Sequence, residues 1–414
     1  MSDFYDSLET RDPEQRESDL FAALPGQLAN AQARTEYFRT LLEGVDPDQI
    51  TSRESLAALP VTRKAEVSSL QKNSPPFGGL AASALGEMAR VFASPGSMFE
   101  AQPHRADYWR CARALFAAGF RRGDLVHNTF SYHFTPAGAM IEAAAHALGC
   151  AVFPAGGGQS ELQVNAITHF RPSGYTGTPS FLRIIVEKAR ELGEDISSLN
   201  KAVVSGEALP PSLRDELIDY GIDVLQCYAS ADLGLIAYES SAREGLIVDE
   251  GVIVELLTPG TADPVATGDV GEVVVTTLNP DYPLIRFATG DLSAHLPGES
   301  PCGRTGMRIK GWLGRADQTT KVRGMFVHPS MVAEIAKRHP QLKRARLVVS
   351  NPDHTDRMLL RCESAAVGEA RESMHKSLQV AIRDITKLRG EVELVKPGAL
   401  PNDGKVIDDV RTYT

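Results

Sequence analysis

The stretch LVHNTFSYHFTPAGAMIEAAAHALGCAVFP, residues 125–154, decides the class of fold. Leu125 to Phe130 reads as a strand, with Val126, Thr129 and Phe130 suited to a pleated surface. Thr135 to Leu148 is an Ala-rich helix ended by Gly149, and Cys150 to Pro154 is a second strand. A strand, a helix and a strand in so short a span make a βαβ unit, which joins parallel strands. Upstream, Trp109 to Phe120 reads as an amphipathic helix ended by Arg121-Arg122-Gly123-Asp124. Downstream, Ser160 to Phe170 is helical, Gly174 to Gly177 extended and Ser180 to Leu192 helical. Lys201 to Ser205 is a strand, Pro211 to Tyr220 helical and Val224 to Tyr228 a strand. The alternation predicts an α/β fold with a parallel sheet, whose ligands bind beyond the carboxyl ends of the strands.

Further out the pattern changes. Residues 1–70 are helical and polar, with helix starts at Asp12-Pro13 and at Ser52. From about residue 245, β-branched runs (Leu246 to Leu257, Gly271 to Leu278) flank a Gly/Pro/Asp-rich turn at 259–264, which suggests an antiparallel β subdomain. After Arg315, Ser330 to Arg338 is helical, Ala345 to Val349 and Met358 to Cys362 are strands, Glu369 to Leu388 is a long helix and Val392 to Val395 a strand. We therefore expect a large N-terminal domain over 1–316, with mainly parallel sheets plus a β subdomain at about 245–315. A small α+β C-terminal domain is expected over 317–414. The 414 residues suit two or three domains at about 100–200 residues each.

Composition narrows the function. The net charge of −10 argues against nucleic-acid or membrane-surface binding, which would need a basic patch. The hydrophobic share of 43% and charged share of 23% are ordinary for a globular protein. Cys111, Cys150, Cys227, Cys302 and Cys362 are scattered without CxxC spacing, so reduced thiols in a cytoplasmic protein are expected rather than disulfides or a zinc knuckle. The N-terminus lacks a basic and apolar leader, and no apolar run is long enough to span a bilayer.

Four stretches carry chemistry. Gln226-Cys227-Tyr228-Ala229-Ser230-Ala231-Asp232 places a ring and a carboxylate just past a strand's end. A tyrosine there can stack on a base and an aspartate can hold Mg²⁺ on phosphate oxygens. A core Tyr and a helix N-cap Asp would explain the same residues. Val203 to Pro210 contains Ser205-Gly206-Glu207, where Gly206 permits close backbone approach or an ordinary strand-to-helix turn. Tyr282 to Leu292 contains Thr289-Gly290-Asp291, whose carboxylate can accept from two ribose hydroxyls or simply serve a turn. Ile309 to Pro329 gathers glycines and cations at the proposed domain boundary, where hinges and solvated linkers both occur.

In this order and spacing the four stretches resemble the core motifs of adenylate-forming enzymes, and the details resemble the phenylacetate–CoA ligase family over roughly residues 1–411. Supporting segments are Ile50 to Lys64 (ITSRESLAALPVTRK), Pro154 to Glu161 (PAGGGQSE), Thr178-Pro179-Ser180, Thr276-Thr277-Leu278 and Pro397 to Lys405 (PGALPNDGK). The resemblance implies that ATP and a carboxylic acid, aryl such as phenylacetate, form an acyl-AMP, which coenzyme A then converts to an acyl-CoA while the C-terminal domain rotates between steps. It implies Tyr228 on adenine, with Ser205, Gly206, Glu207, Cys227, Ala229 and Ser230 lining the nucleotide, and Asp291 and Arg315 on the ribose. Asp232 would be the Mg²⁺-associated carboxylate, and Lys405 would approach the α-phosphate during adenylation only. Asp317 would be the hinge, and Arg323, Gly324 and Met325 the loop serving the CoA step. Tyr132, His133, Phe134, Gly156 and Gly157 would wall the acyl pocket. Relatives are often dimers, which is the basis for expecting a homodimer.

The sequence departs from the family pattern in three places. Phe92 to Met98 keeps Ser94, Gly96 and Ser97 of the phosphate loop but lacks its threonines and lysine, and Pro95 removes a donor. The metal-side acid is Asp232 rather than Glu. Cys302 stands where relatives carry several Cys and His ligands, so no zinc site is expected. Two alternatives stay open at this level. One is an adenylating enzyme that loads a carrier protein, and the other a nucleotide-binding homologue without ligase activity.

Overall fold

In a computed structural model of the chain, Leu125–Asn128, Ala151–Pro154, Gly174–Gly177, Lys201–Val204 and Asp223–Ser230 pair in parallel. Their spatial order places Leu125–Asn128 between Ala151–Pro154 and Gly174–Gly177, with Lys201–Val204 and Asp223–Ser230 following. The chain reverses direction of travel at Leu125–Asn128, the kind of switch point beyond whose carboxyl ends α/β sheets bind ligands. The α/β class is as the sequence predicts. The structure describes residues 3–94, 98–258, 261–316, 318, 320–327, 329–352, 355–401 and 405–412. Two compact units result, Met1–Gly314 and Arg315–Thr414.

Local rules explain the helices that cover this sheet. Pro179–Leu192 starts with Thr178 capping the Phe181 amide and Pro179 at the first turn, and ends at Gly193 in the left-handed region. Its buried Leu182, Ile185, Val186 and Ala189 recur at helical spacing and meet Tyr175, Val204 and Val224 of the sheet. Burying each large aliphatic side chain contributes about 1.5–3 kcal/mol. The helix expected over Trp109 to Phe120 is shorter, Ala112–Ala117. Asp107 and Arg110 hold left-handed φ of 44° and 61°, which keeps the preceding turn out of the helix. The Asp107 carboxylate accepts from the Ala112 amide at 3.1 Å instead.

Beyond Asp223–Ser230 the same sheet continues with Gly234–Tyr238, Leu246–Val248, Arg308–Ile309, Phe287–Leu296, Val270–Thr277 and Val252–Leu257. These neighbours pair antiparallel. Two expectations need correction. Tyr228 lies within a strand, not past its end, because pairing with Gly234–Tyr238 extends that strand to Ser230, with an irregularity between Tyr228 and Ala229. Asp291 lies within Phe287–Leu296 rather than in a turn, next to Gly290 at φ 76° and opposite a register shift between Glu272 and Val274. Such a bulge re-aims a side chain without ending the strand. A hairpin unforeseen in the sequence pairs Met88–Ser94 with Met98–Pro103.

The second unit is a sheet ordered Glu391–Val395, Arg357–Glu363, Arg344–Ser350 and Ile407–Asp409, covered by Pro329–Arg338 and Gly368–Thr386. The last strand, absent from the sequence reading, pairs parallel to Arg344–Ser350. A separate hairpin pairs Thr320–Val322 with Met325–Val327.

The first unit is stapled by Arg286, whose side chain has 0% exposure. Its Nε and Nη2 donate to both Glu255 carboxylate oxygens at 3.1 and 3.0 Å. Nη1 donates to the carbonyls of Ala57 (2.7 Å) and Leu59. The backbone then continues the staple, with the Thr62 amide donating to Arg286 O at 2.9 Å and Thr62–Arg63 pairing parallel to Phe287–Ala288. Arg286→Met leaves the Glu255 carboxylate buried without its cation. The unfolding free energy of the first unit in urea should fall by about 3–5 kcal/mol. A loss below about 1 kcal/mol, the size of an exposed pair, would refute this account.

Candidate active site

Several of the site residues expected in the first unit follow the carboxyl ends of its parallel strands. Tyr132 to Phe134 follow Leu125–Asn128, Gly156 and Gly157 follow Ala151–Pro154, and Ser205 to Glu207 follow Lys201–Val204. Ser205 Oγ donates to Cys227 O at 2.7 Å, which ties the last two parallel strands together at this edge. Gly206 has φ 80°, a conformation that a side chain would strain. Glu207 accepts from Ser180 Oγ at 2.6 Å, and Ser230 Oγ accepts from the Leu233 amide at 3.2 Å.

The structure brings Tyr228 and Asp291 together from strands that are far apart in sequence. Tyr228 Oη donates to Asp291 Oδ2 at 2.8 Å and also reaches Thr289 Oγ1 at 3.3 Å. Trp312 Nε1 donates to Asp291 Oδ1 at 3.1 Å. Thr289 Oγ1 in turn donates to Val273 O at 2.9 Å and accepts from the Asp291 amide at 3.1 Å. The carboxylate is thus oriented through both oxygens beside a half-buried aromatic ring. Thr289 and Trp312 were given no role in the sequence reading, since neither carries a charge.

Two further groups were missed. Lys64 Nζ donates to Asp232 Oδ2 at 2.6 Å, across a sequence separation of 168. The Asp232 side chain is 7% exposed and that of Lys64 28%. Glu100, on the hairpin strand Met98–Pro103, is buried and accepts from Ser94 Oγ, while its Oε2 has no hydrogen-bond partner. Burial pushes its carboxyl up to about 8. The Asp232 charge pushes the same way, while Ser94 and Lys64 oppose the rise. The Asp232 carboxylate and the Ser94 hydroxyl are oxygen donors of the kind that suits a hard divalent cation, while burial favours the neutral form of Glu100. Lys64 was visible only as part of the Ile50 to Lys64 segment, and Glu100 follows the altered phosphate loop without a recognisable signature. Gly96, the other residue expected of that loop, lies outside the described residues.

The expected acyl wall is built on a buried polar layer. Asn128 Nδ2 donates to Tyr132 Oη at 2.8 Å and to Gly138 O at 2.9 Å. Gln163 Nε2 holds the carbonyls of Gly156 and Gly158 at 2.9 and 3.1 Å, and its Oε1 meets His127 Nε2 at 2.6 Å. The His127 ring stacks on Phe153 with centroids 5.3 Å apart and 6° between planes. Gly177 leaves room for this layer, because a Cβ there would lie 2.0 Å from Thr129 Oγ1 and 2.2 Å from Tyr175 Oη. His133 and Phe134 are exposed, Phe134 at 67%. The Phe134 carbonyl accepts from the Ala93 amide at 2.9 Å, which joins this wall to the strand that enters the phosphate loop.

In the second unit, Lys405 Nζ pairs with Asp408 Oδ1 at 3.1 Å and is 54% exposed. Arg323 and Gly324 form the tip of the Thr320–Val322/Met325–Val327 hairpin, with Met325 exposed beside them. Arg315 opens this unit. Asp317, expected as the hinge, lies outside the described residues.

Burial lowers the His127 imidazole from 6.5 to about 4, with the Gln163 bond opposing the drop. Between 6.5 and about 4, the unfolded chain takes up a proton that the folded chain refuses. The site's contribution is whole above that window and drains away as pH falls through it. His127→Asn removes this dependence. Between the two pH limits its melting temperature should fall about 2–4 °C less than that of the parent. Parallel pH curves would contradict a neutral buried imidazole.

Residues 103–279 match the family of AMP-binding enzymes. The chain is 30% identical over 413 residues to phenylacetate-coenzyme A ligase of Thermus thermophilus, with 90% of this chain and 91% of that one covered. It is 28% identical over 428 residues to phenylacetate-coenzyme A ligase of Escherichia coli K12, covering 97% and 95%. Among solved structures, 2-hydroxyisobutyryl-CoA ligase in complex with 2-HIB-AMP and CoA resembles it with a TM-score of 0.84 and 26% identity, over 100% of this chain and 93% of that one. With the α/β sheet, the Tyr228–Asp291 pair at its edge and this similarity along almost the whole chain, the protein belongs to the phenylacetate–CoA ligase family of adenylate-forming enzymes.

Proposed function

We propose that the chain is an AMP-forming acid–CoA ligase that activates a carboxylic acid of the aryl class. The observation that carries this reading is the 2.8 Å hydrogen bond from Tyr228 to Asp291 at the carboxyl edge of the sheet. A ring face and an oriented carboxylate side by side suit adenine stacking and acceptance from ribose hydroxyls. Ser205, Gly206, Glu207, Cys227, Ala229 and Ser230 line the base, and Arg315 completes the ribose contacts.

The triphosphate lies toward Ser94, Gly96 and Lys64, where Lys64 supplies the cation that the altered loop lacks. Asp232 would hold Mg²⁺, which neutralises phosphate charge when bound. In adenylation the acid's carboxylate oxygen bonds to the α-phosphorus and pyrophosphate leaves. Lys405 stabilises the negative charge on the phosphoryl oxygens and takes no covalent part. In the second step the CoA thiol gives up its proton to solvent, its sulfur bonds to the acyl carbon, and the bond from that carbon to the phosphate oxygen breaks to release AMP. The Arg323–Met325 tip serves this step, and Asp317 is the hinge between the two. Tyr132, His133, Phe134, Gly156 and Gly157 wall the acid, and the absence of Arg or Lys among them favours an uncharged apolar acid.

Lys405→Ala should lower acid-dependent pyrophosphate–ATP exchange by about 100- to 1000-fold. Its ATP affinity should stay within about threefold of the parent, because Lys405 acts on the transition state. The panel should contain phenylacetate, other aryl acids and short branched acids, each with Mg²⁺, with and without CoA. Exchange without acyl-CoA formation would point to a carrier-protein acceptor, and ATP binding without exchange to a non-catalytic homologue. Unchanged exchange in Lys405→Ala would refute the mechanism.

A further inference from the structure

The hairpin of the second unit pairs Val322 with Met325, so its loop is the two residues Arg323 and Gly324. Their φ values of 48° and 82° put both in the left-handed region, as a type I′ turn requires. Glycine adopts this freely, whereas an arginine resists it by about 1–2 kcal/mol. Val322 and Val327 are buried in the unit's core and fix the base of the hairpin. The tip itself is exposed, so packing does not impose the turn.

What imposes it is Asp356. Its Oδ2 accepts from the Arg323 amide at 2.9 Å. Its backbone carbonyl accepts from Arg323 Nε and Nη2 at 3.0 and 2.8 Å. One residue thus grips the backbone and the side chain of Arg323 at once. Asp356 is held by Arg411, whose side chain is 7% exposed and whose Nη1 donates to Asp356 Oδ1 at 3.1 Å. Arg411 also donates to Lys321 O and Thr320 Oγ1, both at 2.8 Å, and to Asp409 Oδ1 at 2.8 Å. Asp409 belongs to the strand that follows Lys405. The brace therefore reaches from the core sheet to the hairpin tip, and none of its members is a proposed reactant contact except Arg323.

We propose that Asp356, seated by Arg411, is a positioning residue for the thioester-forming step. It acts by locking the left-handed Arg323, which sets the course of the Arg323–Met325 backbone, and it has no part in adenylation. This rests on the ligase reading above. Reacting groups must meet within a few tenths of an ångström, and a displacement of about 1 Å can cost on the order of 100-fold in rate.

The test separates the two half-reactions in Asp356→Ala and Asp356→Asn. Pyrophosphate–ATP exchange reports adenylation, and transfer from preformed acyl-AMP to CoA in a single turnover reports the thioester step. Exchange needs Lys405 and hence a folded second unit, so it doubles as the control for folding. In Asp356→Ala, exchange should stay within about twofold of the parent while transfer to CoA falls about 10- to 100-fold. In Asp356→Asn the amide oxygen can still accept from the Arg323 amide, but the NH2 that replaces the other oxygen cannot accept from Arg411, so only part of the loss should be recovered. Equal losses in both half-reactions, no loss in either, or no recovery with Asn would each overturn the proposal. If the parent chain itself performs neither half-reaction with any acid, the ligase reading fails instead, and that outcome is visible before any variant is made.

Discussion

A guanidinium sealed from water organises the first unit. Arg286 meets the carboxylate of Glu255 and the carbonyls of Ala57 and Leu59, so its charge is neutralised and its donors are spent inside the fold. Removing such a group from water is costly unless the geometry is complete, and here it draws three distant segments into one place. The segment after Leu59 then runs alongside Phe287–Ala288, and the next residue in line is Lys64. The cation beside Asp232 is therefore positioned by an ion pair that touches no proposed substrate atom. The strand that Arg286 enters also carries Thr289 and Asp291, so one staple orients both the phosphate side and the ribose side of the proposed site.

The electrostatics at the phosphate side reconcile an acidic protein with a polyanionic substrate. Two carboxylates near one another would repel phosphate and each other. Lys64 neutralises Asp232, and burial keeps Glu100 protonated up to about 8. The local charge is thus close to balanced before any cation arrives. In the same region the hairpin strand Met88–Ser94 is bonded to the Phe134 carbonyl, so the phosphate loop and the proposed acyl wall share a backbone contact.

Much of this was legible in the sequence because it depends on local rules. Strand–helix alternation, the Asp12 and Ser52 caps, and the glycines after helices all act within a few residues, and the parallel core follows from them. The ordered motifs identified the family for a similar reason, since each is a short segment at a strand end. Element ends were less legible. The Trp109 to Phe120 helix lost its first turn to left-handed Asp107 and Arg110, and the Ile407–Asp409 strand exists only because Arg344–Ser350 is there to pair with it.

The sequence by itself determined the α/β class, the succession of a parallel core, a β-rich section and a small α+β unit, and the residue types available at each strand end. Only the tertiary structure decided which of those residues meet. Tyr228 finds Asp291, Lys64 finds Asp232, and Ser94 finds Glu100 because sheet pairing and the Arg286 staple bring remote segments together. The same holds for Asp356 and Arg323, which lie 33 residues apart with no shared motif. A hydrogen bond forms over about 3 Å of space and is indifferent to sequence separation, so such pairs leave no periodic trace in a single chain.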